Sequence, residues 1–115
     1  MERIKIRCYK FSVNVLRFIR TLEKNRILYP IIDQVLRSST SIAANVIEAQ
    51  SGHSRKDFRR FYEIALKSAN ETKYWFCLMR DGADVDRQKL EPLLDEAHQI
   101  SKILASSRLR IKNLK

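Results

Sequence analysis

Apolar residues recur at a helical spacing along the first part of the chain and again in three later stretches. In the first stretch the apolar positions alternate by four and three residues, as Ile4, Cys8, Phe11, Val15, Phe18 and Leu22. Such steps place side chains along one side of an α-helix. The chain has only two glycines and two prolines in 115 residues, and a β protein needs more residues that favour turns. The sequence therefore predicts an all-α fold built from a few long helices.

The same periodicity sets the limits of the predicted helices. They cover residues of about 3–24, 29–50, 54–80 and 86–107, followed by a basic tail at 108–115. Pro30 suits the first turn of the second helix and Gly52 its end, while Ser54 and Asp57 are close to a capping box for the third. The length fits one domain, residues 1–115. We expect the four helices to form an up-down-up-down antiparallel bundle.

Two features of the fourth helix allow more than one interpretation. Pro92 lies six residues beyond Asp86, so either the helix begins near Glu91 or it carries a kink. Ile111 and Leu114 keep the apolar period, so the tail either continues the helix or forms a disordered arm.

Small and polar residues accompany the apolar stripe of the second and third helices. Residues 38–50 read SSTSIAANVIEAQ, and residues 64–72 read IALKSANET. Small side chains such as Ala44 and Ala69 would let two helices approach closely, unless they only occupy helix surface. Several side chains would then be available for hydrogen bonds between the helices or across a subunit contact. They are Ser41, Asn45, Glu48, Ser68 and Glu71.

The third helix also carries a second apolar strip, with Ile64, Trp75 and Leu78, beside the seam that faces the core. A surface of that width exceeds what one side of a monomeric bundle needs. Either the strip contacts another subunit, or Trp75 and Tyr74 cover the end of the bundle.

The motifs of these two helices resemble those of a bacterial four-helix bundle family. Residues 41–48, SIAANVIE, are similar to its S-I-P-A-N-I-A-E-G motif, and residues 64–71, IALKSANE, to its I-A-L-G-S-A-x-E motif. The family includes proteins encoded in intervening sequences of large-subunit ribosomal RNA genes and the accessory variability proteins of diversity-generating retroelements. The departures lie at Ala43, Ile47, Ala49 and Lys67, where the family has proline, alanine, glycine and glycine. The resemblance extends over about residues 28–82 and implies a homo-oligomer, a pentameric ring of bundles.

Basic residues are concentrated at the two ends of the chain. The formal charge is +10, and residues 1–26 and 100–115 together hold 13 of the 23 lysines and arginines. The first and last helices of an up-down-up-down bundle are neighbours, so the two clusters could form one surface that attracts polyanions. We interpret these residues as nucleic-acid contacts rather than as charges that only maintain solubility. The candidates are Arg3, Arg7, Lys10, Arg17, Lys24, Arg108, Arg110, Lys112 and Lys115.

The sequence predicts no catalytic site, no metal site and no cofactor. It contains neither a phosphate-binding loop nor a nucleophile elbow, and a single partial Glu-x-x-His pattern at residues 95–98 is too little for a carboxylate-bridged metal. Cys8 and Cys77 fit no metal spacing. Because we find no export signal and no membrane span, we expect them to be reduced core thiols of a cytoplasmic protein.

Three functions remain open from the sequence. The first is a non-enzymatic nucleic-acid-binding accessory protein, which by resemblance would bind a retroelement reverse transcriptase and its RNA or DNA. The second is an rRNA intervening-sequence-encoded bundle protein, whose role the family does not make clear. The third is a protein-interaction scaffold whose basic surface docks an acidic protein.

Overall fold

The computed structural model describes residues 3–23, 25–52 and 54–113, with the backbone alone from residue 109 onward. This part of the chain forms four helices and no strand, which confirms the all-α prediction. The helices are α1 (Ile4–Arg20), α2 (Leu28–Ala49), α3 (Arg55–Gly82) and α4 (Arg87–Asn113).

The first helix is shorter than predicted, because it closes at Thr21 rather than near residue 24. The Thr21 hydroxyl donates to the Phe18 carbonyl at 2.7 Å. The N–H groups of Thr21 and Leu22 also donate to carbonyls three residues earlier, at 2.9 and 3.1 Å. Such i→i+3 bonds tighten and end a helix. Leu22 still packs against the core from outside the helix, and Lys24 lies outside the described residues.

Side chains set the starts of α2 and α3. The Asn25 side-chain oxygen accepts a hydrogen bond from the Leu28 N–H at 2.8 Å, so α2 begins one residue earlier than predicted. Gly52 has a φ of 90°, in the left-handed region that favours glycine after a helix. The Ser54 hydroxyl accepts from the Asp57 N–H at 3.2 Å, which confirms the predicted cap of α3.

The structure shows where the fourth helix begins and how far it continues. Asp86 precedes α4, and its carboxylate accepts a hydrogen bond from the Gln88 N–H at 2.9 Å. Pro92 lies inside the helix with an exposed ring, so the start near Glu91 is wrong. The backbone then stays helical to Asn113, so residues 108–113 continue the helix instead of forming an arm.

Each helix packs against two others. Contacts join α1 to α2, α2 to α3, α3 to α4 and α4 back to α1, an arrangement compatible with a four-helix bundle. The core draws large buried side chains from all four helices, among them Phe11, Ile42, Phe76 and Leu90. The closing contact of α4 on α1 brings the two basic ends of the chain onto adjacent helices.

Hydroxyl groups join α2 to α3 where both helices carry small residues. The Ser68 and Ser41 hydroxyls are hydrogen-bonded at 2.9 Å, and so are those of Thr72 and Ser38. Asn45 does not reach α3; its amide donates to the Ser41 carbonyl at 2.8 Å and the Ser41 hydroxyl at 3.0 Å, within α2. It therefore orients Ser41 for the contact with Ser68.

The two alanines that were expected to allow close packing differ in position. Ala69 is fully buried, whereas Ala44 is exposed. The expectation of a packing role for Ala44 is therefore wrong, because it lies on the outer side of α2.

Candidate nucleic-acid interface

One flank of α1 carries a line of basic residues beside the buried side of the helix. Arg3 stands immediately before α1, and Arg7, Lys10 and Arg17 follow at steps that keep them on one flank. Arg3, Lys10 and Arg17 are exposed, and we call these three residues the α1 basic stripe. It extends about 21 Å along the helix, at 1.5 Å per residue.

Arg7 lies in the same line but contacts α4. Its Nε donates to Glu96 Oε2 at 2.7 Å, and its Nη2 donates to Glu96 Oε1 at 2.8 Å, the bidentate geometry of strong arginine–carboxylate pairs. The two side chains are 30% and 32% exposed. We predicted Arg7 as a phosphate contact, and in the structure it forms an ion pair between helices. This pair also shows that the flank bearing the α1 basic stripe faces α4.

The start of α4 is acidic, but several of its carboxylates are engaged with other groups. Glu96 pairs with Arg7, Glu91 lies 3.9 Å from the Arg80 guanidinium of α3, and Asp86 caps the helix. The negative charge of residues 83–99 is therefore partly compensated by local partners.

The other predicted nucleic-acid contacts lie at or beyond the end of α4. Arg108 is exposed on the helix. Arg110 and Lys112 belong to its last turns, and the structure describes their backbone only. Lys24 and Lys115 lie outside the described residues.

A further basic cluster, which the sequence analysis missed, stands at the start of α3. Four of the six residues 55–60 are basic: Arg55, Lys56, Arg59 and Arg60. The contacts Lys73–Ser101 and Arg80–Glu91 run in opposite directions along α3 and α4. The start of α3 therefore lies toward the C-terminal end of α4. The run is visible in the sequence. It was overlooked because charge was summed over residues 54–82, where four acidic residues offset part of the positive charge.

The expected subunit-contact residues are divided between exposed and partly buried positions. Trp75 is half-buried and packs against the core. Its ring and that of Tyr74 form an edge-to-face pair with centroids 4.9 Å apart. Its indole Nε1 is buried and has no hydrogen-bond partner within the described residues. Ile64, Glu71 and Leu78 are exposed on α3, and Glu48 is exposed on α2.

A second set of exposed apolar residues, which we did not predict, lies on α1 and α2. On α1, Tyr9 is 61% exposed and Leu16 49% exposed, and Ile6 is exposed on the same helix. Tyr29 and Ile47 are the large exposed apolar residues of α2. The molecule thus has exposed apolar residues on α1 and α2 and, separately, on α3.

Both cysteines are free thiols. Cys8 is fully buried, and burial raises the pKa of its thiol to about 12, with a smaller contribution in the same direction from Glu96. Cys77 is half-buried on α3.

Within the described ranges no three residues of the ligand types His, Cys, Asp and Glu cluster as a metal site would require. None of the described helices combines the length and apolar character needed to cross a bilayer.

Comparison with known proteins identifies the family to which this chain is similar. The model of the 23S rRNA-intervening sequence protein family matches residues 3–106. The chain is also similar to the crystal structure of a protein of unknown function from the S23 ribosomal protein family of Bacteroides thetaiotaomicron. The two chains are 34% identical with a TM-score of 0.81, over 92% of this chain and 98% of the other. No curated protein matches this chain. The chain belongs to the 23S rRNA-intervening sequence protein family.

Proposed function

We propose that this protein is a non-enzymatic nucleic-acid-binding protein. The observation that carries the proposal is the α1 basic stripe, exposed on the flank of α1 that faces α4. A line of cations about 21 Å long matches several successive phosphates of a strand. Glu96, the carboxylate that contacts this flank, is held by Arg7, so it competes less for the cations.

Further cations extend this surface toward one end of the molecule. The exposed Arg108 and the basic residues at the start of α3 support an extension there, and Arg110, Lys112 and Lys115 add charge to the same part of the sequence. Contacts of this kind are with phosphate and carry little sequence information. We therefore expect both single strands and duplexes to bind.

Between the two family-based functions we place the intervening-sequence function first. The family match names intervening sequences of 23S rRNA, which makes RNA the first ligand to test. A partnership with a retroelement reverse transcriptase remains an alternative proposal, since the resemblance of residues 41–48 and 64–71 includes that branch. Either function would operate in the cytoplasm.

We also propose that the chain is an up-down-up-down bundle that assembles as a closed ring, a pentamer by family resemblance. A ring needs two different faces of each subunit to meet head to tail. The exposed apolar residues on α3 and those on α1 and α2 supply two such faces. In a ring the α1 basic stripe is repeated in every subunit, which raises affinity for a long polyanion.

Removing the three positive charges of the α1 basic stripe tests the nucleic-acid function. Replacing Arg3, Lys10 and Arg17 by glutamine should weaken RNA binding by about tenfold or more, because three charge-assisted phosphate contacts are lost. The matched control replaces Arg26, Arg37 and Lys67, which are exposed elsewhere. Filter binding at low salt measures the affinities. Arg7 is left unchanged, because removing it would break the pair with Glu96.

The same two triple variants also distinguish nucleic-acid binding from a protein-interaction scaffold. Equal weakening by the two triple variants would contradict a role for the stripe. If RNA affinity stayed unchanged and capture of an acidic protein were lost only in the stripe variant, the surface would be a protein-docking site.

A further inference from the structure

A groove of about 440 Å³ opens between the second half of α1 and the start of α4. Its floor contains the buried side chains Phe11, Phe18 and Leu93. Its rim is polar and exposed, formed by Asn14, Arg17, Thr21, Gln88 and Lys89. The groove adjoins the flank that bears the α1 basic stripe, with Arg17 common to both.

The rim offers mainly hydrogen-bond donors and positive charge. Within the described ranges Arg17 and Lys89 form no ion pair. The Asn14 and Gln88 side chains each add an amide that can donate. Glu96 is the acidic residue of the lining, and both of its oxygens accept from Arg7. A ligand that only accepts hydrogen bonds and carries negative charge fits this chemistry.

We propose that this groove binds one phosphodiester group of an RNA strand, held between Arg17 and Lys89, an inference that rests on the proposed nucleic-acid function. The planar Arg17 guanidinium can donate two parallel bonds to phosphate, and the Lys89 ammonium approaches from the opposite helix. Apolar side chains beneath the site lower the local dielectric and strengthen these contacts relative to cations fully in water. The adjoining strand then continues along the α1 basic stripe toward Lys10 and Arg3.

The arrangement assigns a role to residues that no sequence motif singled out. Lys89 belongs to the acidic segment 83–99, and Asn14 interrupts the basic line of α1. Their common function appears only when α1 and α4 are brought together, with the Arg7–Glu96 pair fixing the two helices next to the groove.

The test uses the double variant Arg17→Gln/Lys89→Gln and a matched control, Arg37→Gln/Lys67→Gln. Both variants remove one exposed arginine and one exposed lysine, but the control residues lie on α2 and α3. Fluorescence anisotropy measures binding of a labelled single-stranded RNA at several salt concentrations, and circular dichroism verifies equal folding. A glutamate decapeptide serves as a second labelled probe.

We expect the groove variant to bind RNA at least about tenfold more weakly and its log–log salt slope to become shallower by about 1, because one phosphate contact is lost. The control should stay within about twofold of the wild type. If the two variants weaken RNA binding equally, the groove is not a site and the nucleic-acid function survives. If the wild type binds no RNA at low salt, the proposed function itself fails. Loss of peptide binding with unchanged RNA affinity would overturn the assignment of phosphate.

Discussion

At the scale of the residue, burial in the core changes the chemistry of the Cys8 thiol. Its side chain is buried among core residues, and desolvation disfavours the thiolate. The pKa rises from 9.0 to about 12; Glu96 acts in the same direction and Arg7 opposes it. In the unfolded chain the thiol ionises at its ordinary pKa. The Cys8 thiol therefore holds its proton in the folded state and loses it in the unfolded state between about pH 9 and 12, so its contribution to stability falls as pH rises through that window.

We therefore predict a difference between the wild type and Cys8→Ala in the pH dependence of stability. Urea unfolding at about pH 8 and about pH 10.5 gives the free energy of unfolding at each pH. The wild type should lose more stability over this interval than Cys8→Ala, because only the wild type carries the thiol. An identical loss in both proteins would show that Cys8 does not contribute to the pH dependence. The two proteins are compared by the stability that each loses between the two pH values. The cost of the cavity left by alanine and the titration of other groups are common to both pH values or both proteins and therefore cancel.

At the scale of the element, the contact of α2 with α3 depends on small residues and paired hydroxyls. Ala69 is fully buried, and the Ser41–Ser68 and Ser38–Thr72 bonds join the same two helices. Ala69→Leu adds three carbon atoms to this packed contact and should destabilise the protein by about 1–3 kcal/mol, as overpacking does. Ala44→Leu on the exposed side of α2 is the control and should change stability by less than about 0.5 kcal/mol. Thermal or urea unfolding of both variants measures the difference, and equal effects would contradict the packing of α2 on α3.

The elements also show what the sequence can and cannot predict. The four helices and the Ser54 cap were predictable because apolar periodicity and capping are local properties. The end of α1 was not, since it depends on the Thr21 hydroxyl turning back to the Phe18 carbonyl. The role of Arg7 was hidden because its partner is 89 residues away in the chain. The exposure of Ala44 was missed because small residues on both sides of α2 give no signal of which side faces α3.

At the scale of the whole molecule, assembly decides how many copies of the basic surface act together. Exposed Tyr9 and Leu16 on α1, with Ile64 and Leu78 on α3, leave apolar surface on two separate elements. Analytical ultracentrifugation at micromolar concentration should show a closed oligomer larger than a dimer. Changing Leu16 and Leu78 to aspartate should shift it toward monomer, because each removes apolar contact area from a different face. A wild-type protein that sediments as a monomer would contradict the ring.

Binding of phosphate by the α1–α4 side of the molecule is the central claim, and the salt dependence of RNA binding by the wild-type protein tests it most directly. Phosphate contacts release condensed counterions, so the logarithm of the affinity falls linearly with the logarithm of salt concentration. If Arg3 and Lys10 each engage a phosphate and Arg17 and Lys89 share a third, the slope is roughly −2 to −3 for one subunit and steeper for an oligomer. A slope of about zero, or no measurable binding at low salt, would contradict the claim.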